Sequence, residues 1–193
     1  MHNIYDCIDS FTSLLDTEYH LVLGRKGVSV SLMITFDKKD CFHLVGLQYL
    51  TDRPELSRDR AIVFDGIKER IITEKQIETS VFYERIAERV DILPLLENII
   101  DSNDTIFKYN RKSNVFSMIQ ADYLMKNSVA DKNVFIFLSR KKEDKYFCRS
   151  FFPQDKRDYI KGQASWTLLY KEKIRISTGK SVVLYDRVTW KGL

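Results

Sequence analysis

The chain has 193 residues, of which 44% are hydrophobic and 30% charged, with 7 Gly, 3 Pro and a net charge of +4; that is enough to bury a substantial core and excludes a disordered or collagen-like chain. Asp6 and Asp9 interrupt the stretch where a secretory signal needs an unbroken apolar core, and no run approaches the roughly 20 apolar residues that span a bilayer, so a cytoplasmic protein without membrane association is expected. Three histidines and three dispersed cysteines, Cys7, Cys41 and Cys148, with no CxxC pair, supply too few ligands for a zinc or redox centre, so neither a metal nor a cofactor is expected.

The first predicted element is an amphipathic helix carrying Ile4, Ile8, Phe11 and Leu15, broken at Asp16 and Thr17. Glu18 to Arg25 and Val28 to Phe36 follow as a β-hairpin. Their joint is Lys26-Gly27, and Val28, Val30, Leu32, Ile34 and Phe36 alternate with polar or smaller partners. Asp37 is placed to cap a helix through Cys41, Leu44 and Val45, and Pro54 closes that region. Further helices are predicted over Arg58 to Arg70, Glu74 to Arg89 and Ile92 to Ile100. Residues 37–101 therefore read as a helical lobe inside a single domain of residues 1–193, because no linker flanks them. From residue 104 to 187 short β-rich runs dominate: Thr105 to Tyr109, Val115 to Ile119, Asn133 to Leu138, Lys145 to Phe152, Ser165 to Ile176 and Val182 to Arg187. Their tight polar turns predict an antiparallel sheet. The fold class that results is α+β, with N-terminal helices and a helical lobe packed on a curved antiparallel sheet.

Charge is divided along the chain. Residues 51–100 hold 8 Lys/Arg against 11 Asp/Glu, whereas residues 140–193 hold 14 against 6. A basic C-terminal third is the electrostatic footprint of a polyanion-binding face, although scattered solvated charge has the same composition. On the strand from Ser165 to Ile176, alternation places Trp166, Leu168, Tyr170 and Ile174 on one face and Thr167, Lys171, Lys173 and Arg175 on the other. Such a face suits an anion, or serves as lysine protection of an edge strand. Arg149 sits in the aromatic run KYFCRSFFP, pre-organised for a phosphate or for a carboxylate of the helical lobe. Ser150, its neighbour, points to the opposite face unless a bulge intervenes.

Metal-free RNA cleavage needs a proton acceptor for the 2′-hydroxyl, a donor for the leaving oxygen and cations for the phosphorane. Histidine suits the first two roles, and His43, one turn from Gly46 in a helix, is the candidate; a structural histidine is the competing reading, and His20 lies in a strand. Arg25 and Lys26 in the GRKG tip could hold phosphate but lack a full P-loop pattern, and Tyr109 could stack on a base or belong to the core.

The strings HLVLGRKG, ITFDKKDCFHLVGLQYL, DSNDTIFKYN, KYFCRSFFP and KGQASWTLLYKEKI, taken in order from about Tyr19 to Arg175, resemble the phage-associated barnase-EndoU-colicin-RelE-like nuclease domains of the fourth class. That resemblance implies an α+β nuclease fold and a metal-independent, toxin-type endoribonuclease of phage or mobile-element origin. It implies RNA as partner, such as tRNA or ribosome-associated mRNA, and an inhibitor or immunity protein as restraint. His43, Arg149, Ser150, Thr167 and Lys171 fall in the matching strings. On this reading His43 is the general acid or base, Arg149 and Lys171 hold the phosphate, and Ser150 or Thr167 hydrogen-bonds the scissile group, with Arg25, Lys26, Tyr109, Lys173 and Arg175 contacting substrate. The alternatives are a non-catalytic RNA- or protein-binding module on the same fold and a protein acting through its helical lobe. Convergence of His43, Arg149 and Lys171 on one cleft separates them.

Overall fold

In a computed structural model, which describes residues 2–102, 105–113, 117–129, 132–155 and 157–187, helix α1 (Ile4–Leu14) starts at a capping box. The Asn3 side chain accepts from the Tyr5 and Asp6 N–H groups, and the Asp6 carboxylate accepts from the Asn3 N–H. Its apolar stripe of Ile4, Cys7, Ile8, Phe11 and Leu14 is buried. Strands β1 (Thr17–Arg25) and β2 (Val28–Ile34) form the expected hairpin. Lys26 and Gly27 both have positive φ, 49° and 78°, which makes the two-residue turn type I′ and matches the strand twist. Only the far half of β2 is buried, at Leu32 and Ile34; Val28 at the tip is exposed.

Helix α2 (Lys38–Val45) is capped by Asp37 and Asp40 in a second capping box and ends on Gly46 at φ 94°. Helices α3 (Arg60–Lys68), α4 (Glu74–Glu78), α5 (Ala87–Ile92) and α6 (Leu96–Asp101) follow, linked by 3-10 turns. The helix expected from Glu74 to Arg89 is divided. The Asp52 carboxylate accepts from the Ser80 hydroxyl at 2.5 Å and the Val81 N–H at 3.1 Å, which holds a turn where the helix would have continued.

The strands after these helices are β3 (Thr105–Lys108), β4 (Tyr123–Val129), β5 (Lys132–Lys142), β6 (Lys145–Pro153), β7 (Ala164–Arg175) and β8 (Ser181–Asp186). A curved sheet confined to residues 104–187 is corrected on two counts. The N-terminal hairpin belongs to the same sheet, in the order β1-β2-β6-β5-β4-β3-β7-β8, and β1 also pairs with β7, which closes the strands into a barrel. One joint, β2 with β6 at Met33↔Lys145 and Ile34↔Tyr146, is parallel; the other pairings are antiparallel. Of the strand expected over Val115 to Ile119, Val115 and Phe116 lie outside the described residues and Ser117 to Ile119 are irregular.

One face of the strands packs with the helices in the main core, through residues such as Tyr19, Leu21, Leu32, Ile34, Ile136 and Leu138. The opposite face of β3, β4 and β5 is covered by a second, aromatic cluster in which Phe107, Leu124, Phe135 and Phe137 meet Tyr109 and Tyr159. Register shifts interrupt the alternation, and two of them bear on the site. Phe137 pairs with Ser150 and Leu138 with Cys148, so Arg149 has no partner across β5–β6; likewise Leu169 is skipped between Leu168↔Leu23 and Tyr170↔Val22.

Candidate active site at the α2–β6 cleft

A cleft of about 390 Å³ opens between α2, the start of α3 and the bulge of β6. Helix α2 presents Asp40 and His43 to it, three residues apart and hence on one helical face. The bulge turns Arg149 outward into the same space, where it is exposed and has no ion pair among the described residues. Arg60 at the start of α3 and Lys39 complete a cationic rim; the Arg60 guanidinium lies 5.9 Å from the Phe42 ring centre.

This surrounding sets the protonation of the two titratable groups. Burial, reinforced by the positive charge of Arg60 and Arg149, holds the His43 imidazole below its ordinary value, while a hydrogen bond with Gln48 works the other way. A histidine so placed is neutral near pH 7 and available as a proton acceptor. The Asp40 carboxyl is pushed up to about 6 by burial; the Asp37 N–H that donates to it at 2.8 Å opposes the rise only in part. One wall of a cationic cleft therefore carries a neutral imidazole and a carboxyl raised to about 6. Cys148 also lines the cleft, but complete burial keeps its thiol protonated.

The remaining residues singled out from the sequence are distributed elsewhere. Ser150 adjoins Arg149, as the bulge allows, but faces a neighbouring cleft. Arg25, Lys26 and Thr167 meet at the tip of the β1–β2 hairpin, where Thr167 pairs with Gly24. Tyr109 is a core residue, its hydroxyl 3.0 Å from the Ser117 hydroxyl. His20 is half-buried on β1 with its Nε2 2.6 Å from the Ser31 hydroxyl.

The expected open cationic face of β7 is corrected: its charges are taken up by the helices. Lys171 is fully buried, and its ammonium donates to the carbonyls of Ile100, at 2.6 Å, and Ser102 at the C-terminal end of α6. Lys173 pairs with Asp101 at 2.7 Å and Glu97 at 2.8 Å, and Arg175 with Glu97 at 2.7 Å. The bulge at Leu169 is the cause, because it puts both Leu168 and Lys171 on the buried side. His43 and Arg149 thus converge, and Lys171 does not join them.

Sequence reasoning missed Asp40, Lys39 and Arg60. For Asp40 a signal existed, since the D-x-x-D-x-x-H spacing from Asp37 stacks a capping carboxylate and the histidine along one helix face. Arg60 is brought in only by the packing of α3 on α2. Among the described residues no three His, Cys, Asp or Glu side chains are grouped to hold a metal ion, and no helix is long and apolar enough to cross a membrane.

In comparison with known proteins, the family model described as phage-Barnase-EndoU-ColicinE5/D-RelE like nuclease 4 matches residues 3–188. Searches of curated proteins and of solved structures returned no match.

Proposed function

Since the chain belongs to the phage-Barnase-EndoU-ColicinE5/D-RelE like nuclease 4 family, we propose that it is an endoribonuclease whose active site is the α2–β6 cleft. The observation that carries this reading is the meeting of a histidine held neutral, a carboxyl raised to about 6 and the exposed Arg149 around one open space. In the reaction His43 takes the proton of a 2′-hydroxyl and the 2′-oxygen attacks the adjacent phosphorus. The bond to the 5′-oxygen breaks, and protonated Asp40 gives its proton to that leaving oxygen. The products are a 2′,3′-cyclic phosphate and a 5′-hydroxyl end, so no oxidant, reductant or hydrolytic water enters. Arg149 and Arg60 stabilise the extra negative charge on the phosphorane, and Arg149 does so with donors that no carboxylate among the described residues engages. A toxin-type role, with an inhibitor or immunity protein closing the cleft, belongs to the same reading.

The test is cleavage of total tRNA by purified protein in EDTA, compared with His43→Ala, Asp40→Asn and Arg149→Ala. Each substitution lowers the rate by about 10²-fold or more, the usual contribution of a positioned acid, base or charge stabiliser. Salt-sensitive RNA binding without cleavage by the wild type would replace the enzyme by a binding module, and cleavage unchanged in all three variants would move the site elsewhere.

A further inference from the structure

Next to the α2–β6 cleft, on the other side of the β6 bulge, lies a second cleft of about 420 Å³. At its wall the Arg89 guanidinium is held between two aromatic rings, 5.4 Å from the centre of Tyr49 and 5.3 Å from that of Phe152. No carboxylate among the described residues pairs with Arg89, including the three that line the cleft: Glu84, Glu88, which is engaged with Lys132 at 2.6 Å, and Asp155, an oxygen of which accepts the Arg157 backbone N–H at 2.8 Å. A guanidinium withdrawn from water against aromatic walls, with no ion pair among the described residues, has an anion to gain. Burial already holds its pKa below the ordinary arginine value, with the Tyr49 hydroxyl working the other way. Tyr49 is 39% exposed, so its ring is open to a ligand.

Two further observations tie this cleft to the first. Arg149 lines one and Ser150 the other, and these are successive residues whose α-carbons are only about 3.8 Å apart. In addition, Gly46, which ends the helix bearing His43, leaves the space that Arg89 occupies: a Cβ at Gly46 would meet the Arg89 Cδ at 3.2 Å and a Tyr49 ring carbon at 3.2 Å. One joint therefore seats the histidine helix and Arg89 together.

We propose that the Arg89 cleft is a nucleotide subsite, in which the guanidinium of Arg89 receives a phosphate and the Tyr49 ring stacks on the base, holding the nucleotide next to the one cut at the α2–β6 cleft. Aromatic stacking beside a cation is the combination that single-stranded nucleic acid requires, and it accepts any base because every base has a π-face. The inference rests on the ribonuclease reading for its place in the reaction, but binding at the subsite is measured without cleavage, since a mononucleotide has no scissile internucleotide bond. Cleavage without mononucleotide binding would remove the subsite alone; mononucleotide binding without cleavage would remove the enzyme reading alone.

The experiment titrates the full chain with the four nucleoside 5′-monophosphates and with inorganic phosphate, by calorimetry or NMR shift. At least one nucleotide binds about tenfold more tightly than phosphate. Arg89→Met weakens that binding about tenfold, Tyr49→Ala weakens it roughly fivefold or more, the lower bound for one base–aromatic stack, and Arg149→Ala weakens it less than Arg89→Met. Nucleotides binding no better than phosphate would overturn the proposal, as would an Arg149→Ala effect equal to or larger than that of Arg89→Met. Circular dichroism checks each variant; if Arg89→Met fails to fold, Tyr49→Ala, at an exposed ring, decides, and nucleotide affinity unchanged by it overturns the subsite.

Discussion

Replacing Asp40 by Asn makes the protein more stable at neutral pH while removing its proposed proton donor. In the folded chain the Asp40 carboxyl is pushed up to about 6 from an ordinary 3.8. Between those values the folded state holds a proton that the unfolded state has released, so the native carboxyl costs stability as pH rises through this window. A rise of that size corresponds to at most about 3 kcal/mol, and solvent at the mouth of the cleft reduces this to about 1–2 kcal/mol. Asn is neutral at every pH and its amide oxygen can still accept the Asp37 N–H, which reaches Asp40 at 2.8 Å. The assay is urea unfolding of wild type and Asp40→Asn from pH 4 to pH 8. The two coincide near pH 4, and the variant gains steadily until about pH 7, while its tRNA cleavage falls. A stability difference constant across the range, or a wild type that gains on the variant as pH rises, would refute the reasoning. Stability recovered by replacing a side chain, at the expense of turnover, is the mark of a group kept for chemistry.

Lys171→Met removes the donor shared by the buried Ile100 carbonyl and the part-buried Ser102 carbonyl at the end of α6, so it lowers stability by about 1–3 kcal/mol in chemical denaturation; wherever the variant is folded, its affinity for RNA equals that of the wild type. Gly46→Ala imposes a left-handed conformation at φ 94° on a residue with a Cβ, which then meets an Ile86 methyl at 3.0 Å, and costs about 1–2 kcal/mol in thermal unfolding. The profile of cleavage against pH is bell-shaped and peaks on the acidic side of neutrality. It falls at high pH as Asp40 loses its proton at about 6 and at low pH as His43 gains one.

What the sequence made legible was local. The α1 stripe, the Lys26-Gly27 turn and the Asp37 cap are each decided by residues within a few positions of one another, and they appear where periodicity and turn chemistry put them. Strand β4 is hard to read in the sequence because Lys126, Asn127 and Ser128 have weak strand preference, and its other half is buried on both faces, Tyr123 and Met125 in the main core and Leu124 in the aromatic cluster, so no alternation marks it. The same limit applied to the site. His43 and Arg149 were visible as residue types in suggestive surroundings, but the period of two failed at Leu169 and at Arg149, where single extra residues shift the register. Alternation therefore assigned Lys171, Lys173 and Arg175 to a ligand when they hold the ends of α6 and α1. Conversely, the acidic composition of residues 51–100 concealed Arg60 and Arg89, since net charge over a segment says nothing about which side chains face one cleft.

The pairing of β1 with β7 matters for how the molecule comes into being. Thr17 finds its β7 partner at Arg175, so as the chain leaves the ribosome, β1 waits with one row of backbone donors and acceptors unused until residues 167–175 have been made. Every element of the α2–β6 cleft is synthesised before that closure. The cleft is therefore complete in sequence long before the barrel beneath it is shut, and its rigidity arrives last, with the strand that contributes nothing to its chemistry. A chain cut short before β7 carries every side chain of the site and lacks the closed scaffold that holds them in register.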